Sequence, residues 1–232
     1  MSGQEIKISA ADGSGEFMAY LATPASGSGP GIIAIQEIFG VNQGMREISD
    51  WLAGKGYVVL CPDLFWRQEP GIQLTDKTDA EWKRAFELFG GFDLDKGMED
   101  ISATIDHLRG LDVCTGKVGA IGYCLGGRLA FACSTRTSAD AAVGYYGVML
   151  PEHADETVTC PVMLHIAEKD EFVSAEQQQE IKRIWGDNAK VTLHSYAGQD
   201  HAFARPDGIH YDRESAELAN QRSLEFFSAH LG

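Results

Sequence analysis

The sequence predicts an α/β protein: one domain over residues 1–232 with a mostly parallel central sheet and helices on both faces, a three-layer sandwich. Short apolar runs of strand length alternate with longer amphipathic stretches five or six times, which implies parallel strands joined by helical crossovers. The only linker-like tract, ASGSGPG at 25–31, has seven residues and suits a loop better than a domain boundary. A chain of 232 residues can also bury roughly 70% of its unfolded surface without a disulfide or metal staple.

In chain order, 6–9 and 17–22 read as an opening pair of strands. Residues 32–36, 58–61, 117–121, 141–145, 162–166 and 191–196 read as further strands, each a compact run of β-branched and other apolar residues. Between them lie helical patterns. The stretch 43–53 carries Met45, Ile48, Trp51 and Leu52 on one face, 95–109 carries Met98, Ile101, Ile105 and Leu108, and 213–230 carries Leu218, Leu224 and Phe227. Ligands of such sheets bind in the loops at the carboxyl ends of the strands, so polar residues there are the ones to inspect.

Composition excludes several function classes. With 19 Lys+Arg against 34 Asp+Glu the formal charge is −15, which opposes broad contact with nucleic acid or an anionic membrane. The five cysteines, at 61, 114, 124, 133 and 160, form neither a CxxC nor a Cys/His ligand pair, so neither zinc nor a disulfide framework is indicated, and no cofactor is called for. The polar opening MSGQEIKIS lacks a basic segment followed by an apolar one, and no apolar run is long enough to span a bilayer. A reducing cytoplasm is the default expectation.

The sharpest local signal is GYCLGG at 122–127, directly after a strand and directly before the helical run 128–133. It is G-x-S-x-G with cysteine in the serine position. A strand-to-helix elbow needs small residues on both sides of a nucleophile held in a strained turn, and the following helix aims its N-terminal N–H groups at the sulfur. The same six residues also suit a tight turn around a buried structural cysteine. Chain order favours the nucleophile, because an α/β-hydrolase arrangement requires an acid and then a histidine on loops after later strands. AEKDE at 167–171 and AGQDH at 197–201 fall there. His201 would take the thiol proton, and Asp170 would orient the imidazole, with Glu168, Glu171 and Asp200 as rivals for that role.

Glu37 lies just beyond an apolar strand, in QEIFG at 36–40. It reads either as an ion-pair or helix-cap acid, or as a second partner for the Cys124 thiol. On the latter reading Ile38 and Leu125 would share an oxyanion hole through their N–H groups.

With QEIFGVN (36–42), CPDL (61–64), GKVGAIGYCLGG (116–127), AVGYYGV (142–148), Asp170 and HAFARP (201–206) in this order, the chain resembles the dienelactone hydrolase (carboxymethylenebutenolidase) family from about residue 5 to 230. The resemblance implies an α/β-hydrolase fold, a Cys124–His201–Asp170 triad, and hydrolysis of dienelactone, an enol-lactone, to maleylacetate. It also implies that Glu37 accepts the resting thiol's proton until substrate displaces it. Arg205 matches one of two arginines that grip the substrate carboxylate. The position expected for the other holds Trp82, and Arg84, two residues on, lies about 200° around a helix. Ala202 stands where the family often has Ser, and Phe86 where a Tyr hydroxyl could sit. Phe39, Trp82, Phe86, Phe89, Tyr123, Tyr145 and Phe203 are candidate walls of a more aromatic pocket, each also suited to plain core.

Chemistry supports this substrate class. A thiolate leaves a tetrahedral intermediate more readily than an alkoxide, so cysteine attack on an ordinary ester collapses backwards, whereas an enol ester expels a stabilised enolate. The expected partner is thus a small anionic or otherwise activated cyclic ester as substrate; separately, the protein is expected to be a monomer or a weak dimer. A broader carboxylesterase or thioesterase with the same triad, and a redox-sensing thiol protein without acyl chemistry, are the alternatives.

Overall fold

The computed structural model describes residues 3–232. The chain divides after Val118 into two compact units, Met1–Val118 and Gly119–Gly232, each taken in turn.

In the first unit β1 (Gln4–Ser9) and β2 (Glu16–Ala22) form the expected antiparallel hairpin. β2 pairs antiparallel with β4 (Val58–Pro62), and β4 pairs parallel with β3 (Gly29–Ile35), giving the order β1-β2-β4-β3. β3 starts earlier than its apolar run, inside the tract read as a loop. Gly29 N–H already donates to the Val113 carbonyl at 3.0 Å, so backbone pairing begins before side chains signal it. Helices α1 (Gln43–Gly54) and α3 (Leu94–Arg109) pack on β3 and β4, and every residue of β4 is buried, as a strand covered on both faces must be. Asn42 and Asp93 cap these helices by accepting the N–H groups of Met45 and Lys96. Of the expected stripes, Met45, Ile48 and Leu52 and all of Met98, Ile101, Ile105 and Leu108 are buried, while Trp51, at the edge of the first, is half-buried. α2 (Asp79–Gly90) is capped by Thr78. One buried charge organises this unit: Asp100 accepts from Arg67 Nη2 and Nε at 2.8 and 2.9 Å and from Trp66 Nε1 at 2.8 Å.

In the second unit β6 (Ala141–Tyr145), β7 (Val162–Ala167) and β8 (Val191–Tyr196) follow β5 (Cys114–Tyr123), the strand in which the division falls, all parallel and in the order β5-β6-β7-β8. α4 (Leu125–Arg136) packs on β6, α5 (Ala175–Trp185) precedes β8, and α6 (Arg213–Leu231) packs on β6 and β7. The α6 stripe differs from expectation. Leu218 is exposed, and Ala216, Ala219, Ser223, Phe226 and Phe227 are buried, because small residues let the helix approach the sheet closely. α5 has no strong apolar pattern in sequence; it buries Gln178, Ile181 and Trp185 and starts with a Ser174/Gln177 capping box. Among the described residues no helix is long and apolar enough to cross a membrane.

Candidate active site

Parallel strands send the carboxyl ends of β5, β7 and β8 to the same edge of the second unit, and each end is followed by one of the expected residues: Cys124, Asp170 and His201. Cys124 has φ 56° and ψ −114°, a conformation that L-residues rarely adopt. Its neighbours explain how the turn is tolerated. A Cβ on Gly122 would lie 1.9 Å from the Gly126 carbonyl oxygen, and one on Gly127 would lie 2.5 Å from the Tyr145 carbonyl oxygen. Only glycine lets the helix start this close to the strands. Cys124 N–H donates to that same Tyr145 carbonyl at 3.0 Å, extending the β5–β6 pairing to the elbow cysteine. Leu125 then opens α4, so its N–H belongs to the first turn and has no intrahelical acceptor.

The acid among the rival carboxylates is resolved by geometry. Asp170 is buried, with Oδ2 at 2.7 Å from His201 Nδ1, and its Oδ1 accepts from the N–H groups of Phe172 (2.8 Å) and Val173 (3.2 Å). Glu168, Glu171 and Asp200 are exposed, and Asp200 faces His210. Since a carboxylate can only accept, His201 Nδ1 carries the proton that it shares with Asp170, and Nε2 is left for another partner. Nε2 is buried and has no hydrogen-bond partner among the described residues. Burial by itself would lower the imidazole, but the attraction of the neighbouring Cys124 and the bond to Asp170 outweigh it and push His201 up to about 10. Burial instead pushes Cys61 up to about 12 and Cys160 up to about 11, and raises Cys133 as well, which keeps these three thiols protonated.

Of the other residues singled out in this unit, Tyr123 and Tyr145 are buried with ring centroids 4.7 Å apart. Tyr145 is core rather than pocket wall: its hydroxyl bonds Ser223 at 2.7 Å and Asn220 at 3.1 Å on α6, and it serves the elbow only through its carbonyl. Arg205 is half-buried on the loop after His201. Sequence reasoning missed Tyr146 and Phe172, whose rings flank His201 at 4.9 and 4.8 Å. Tyr146 was legible only as the second tyrosine of AVGYYGV, and Phe172 as the apolar residue after the acid.

In the first unit Glu37 is buried just past β3, where Gln36 Nε2 donates to its carbonyl at 3.2 Å, and Ile38 and Phe39 are buried beside it. Phe39 meets Trp82 edge to face at 5.1 Å, and Trp82 stacks on the exposed Phe86. Trp82 Nε1 donates to the Asp76 carbonyl. Arg84 forms exposed ion pairs with Glu69 and Glu87, so its charge is already paired with acids of its own surroundings.

The sequence profile of the dienelactone hydrolase family matches residues 17–231. The chain is 48% identical to a protein of Azospirillum brasilense over 232 residues, covering 98% of this chain and 99% of that one. It is 41% identical to the carboxymethylenebutenolidase of Pseudomonas sp. strain P51, covering 93% and 91%. A solved chain from Klebsiella pneumoniae has the same fold with a TM-score of 0.86 at 24% identity, covering 98% of both chains. With its parallel strands, its elbow and these matches, the chain has the α/β-hydrolase fold and belongs to the dienelactone hydrolase family of hydrolases.

Proposed function

We propose that the protein hydrolyses an enol-lactone of the dienelactone type to the open-chain keto acid, through a thioester on Cys124. The observation that carries this reading is the buried Asp170–His201 hydrogen bond, which leaves His201 Nε2 open, on the same sheet edge as a cysteine in a strained elbow. The sulfur attacks the lactone carbonyl, and the negative charge that develops on its oxygen is met by the Leu125 N–H at the start of α4. The carbonyl–oxygen bond breaks, and the enolate that leaves takes a proton and becomes the ketone. Acylation removes the charge on sulfur that raises His201. With its proton passed to the leaving enolate, and with burial opposing its charge against the pull of Asp170, the imidazole is neutral and able to take a proton from the water that attacks the thioester. Hydrolysis frees the second carboxylate and restores Cys124.

The family resemblance adds Ile38 as a second oxyanion donor, Glu37 as acceptor of the resting thiol's proton, and Arg205 as a bidentate partner of the substrate carboxylate. A second reading, hydrolysis of a wider range of activated esters by the same triad, is favoured by Trp82 at the position of an arginine and by the ion pairs that occupy Arg84. The test is kcat/KM on cis- and trans-dienelactone against neutral aryl esters, with Arg205→Ala beside the wild type. Preference for the lactones, with KM raised and kcat kept in Arg205→Ala, supports the first reading; equal rates on both substrate classes favour the second. Mass spectrometry of a slow substrate should find the acyl group on Cys124, and its absence with every activated ester would remove both.

A further inference from the structure

A single hydrogen bond defines an axis, and a ring held by it alone still rotates about that axis. His201 has one such bond to a fixed oxygen, at Asp170, yet its Nε2 must stay aimed at Cys124 through a cycle in which the imidazole changes charge. Two aromatic residues limit that rotation. Tyr146 meets the imidazole at 4.9 Å with an interplanar angle of 63°, and Phe172 meets it at 4.8 Å with an angle of 74°. Neither belongs to the triad, and nothing in the proposed chemistry uses their polar atoms.

Both residues are tied to the acid side of the site. Phe172 N–H donates to Asp170 Oδ1, so one residue fixes the carboxylate with its backbone and meets the imidazole with its ring. Tyr146 continues the β6–β7 ladder by donating its N–H to the His165 carbonyl at 2.8 Å. It then turns at φ 37°, a conformation that a large side chain rarely holds. The residue is nevertheless buried, its ring packed 5.7 Å from Phe203, which in turn lies 4.7 Å from Tyr196. Tyr146 and Asp170 also line one small, mostly apolar cavity with Ile166, Val173 and Ile181.

We propose that Tyr146 and Phe172 are positioning residues: an aromatic clamp that holds the His201 ring plane on the line from Asp170 to Cys124. The clamp rests on the hydrolase reading above, but it acts on the thiol before any ester arrives, and this allows a separate test. Tyr146→Leu and Phe172→Leu remove the flat ring and keep apolar bulk, whereas Tyr146→Phe and Phe172→Tyr keep the ring. The readouts are alkylation of Cys124 by iodoacetamide across pH, located by mass spectrometry, and kcat and KM on an activated ester. Each leucine variant should alkylate about tenfold more slowly at neutral pH and lose about tenfold in kcat with KM within about twofold, while the ring-keeping variants stay near wild type. Leucine variants that reproduce the wild-type alkylation profile would overturn the clamp. So would ring-keeping variants that fall as far as the leucine ones. If the hydrolase reading is wrong, the wild type turns over no ester while its alkylation profile still reports the clamp. Should Tyr146→Leu not fold, Phe172, which is 37% exposed, carries the test alone.

Discussion

Asp170 and His201 are bonded through one carboxylate oxygen only: Oδ2 lies 2.7 Å from Nδ1, while Oδ1 is held by the N–H groups of Phe172 and Val173. This division fixes the imidazole's tautomer as well as its position. Asp170→Asn keeps the shape but removes the charge, and an amide nitrogen placed at Oδ2 would force the hydrogen onto Nε2, the atom that must accept from the thiol. kcat should fall by about a thousandfold or more with little change in KM. Steady-state kinetics on an activated ester checks it, and a loss of less than about tenfold would show that Asp170 does not set the tautomer.

Gly122→Ala places a methyl group 1.9 Å from the Gly126 carbonyl oxygen, where both clashing groups are backbone and neither can swing away. Gly127→Ala meets the Tyr145 carbonyl at 2.5 Å, the same group that accepts from Cys124 N–H. Each variant should lose activity by at least about a hundredfold through a displaced elbow, and unfold at lower denaturant. Equilibrium denaturation and kcat/KM measured on the same preparation give both quantities. A Gly122→Ala enzyme of wild-type activity would mean that the elbow is not needed in this strained form.

Asp100, far in sequence from any proposed catalytic residue, tests stability in the first unit. Its carboxylate is fully buried and accepts three hydrogen bonds, two from Arg67 and one from Trp66. Asp100→Ala leaves a guanidinium and an indole N–H without this acceptor. Because Arg67 is partly exposed and also reaches Asp12, the expected loss is about 2–3 kcal/mol, below that of a fully buried pair. The urea midpoint measures it, and a midpoint unchanged from wild type would mean that water or Asp12 fully replaces the carboxylate.

Much of the fold was legible because parallel strands buried on both faces must be apolar runs, as 58–61 and 162–166 are. That Cys124, Asp170 and His201 follow strands ending at one edge was legible from chain order, since the topology sends successive parallel strand ends there. What sequence could not decide was the choice of acid. Glu168, Asp170, Glu171 and Asp200 sit in the same two loops, and only burial and the bond to His201 separate Asp170 from them. α5 escaped because a helix that buries three residues among AEQQQEIKRIW carries its signal in the Ser174/Gln177 cap instead of in apolar periodicity. Leu218 was placed on the buried stripe because hydrophobicity was weighed over size, whereas α6 turns its small residues toward the sheet.

The charge on His201 gives a pH prediction whose sign follows from its causes. Burial lowers the imidazole, and Cys124 and Asp170 raise it from 6.5 to about 10. A histidine raised on folding contributes stability that is fully present below 6.5 and is lost as pH rises through about 10. Compared with His201→Gln, the wild type should therefore lose unfolding free energy across that window and differ little in slope below it. Cys124→Ala removes the strongest attraction and leaves the burial, so the His201 titration followed by NMR should move down by more than about one pH unit. The same shift is what acylation of the sulfur would produce during turnover, so this variant mimics the state in which His201 must act as a base. A His201 titration unchanged in Cys124→Ala would show that Asp170 alone holds the proton, and the imidazole would then need another route to neutrality before water could attack the thioester.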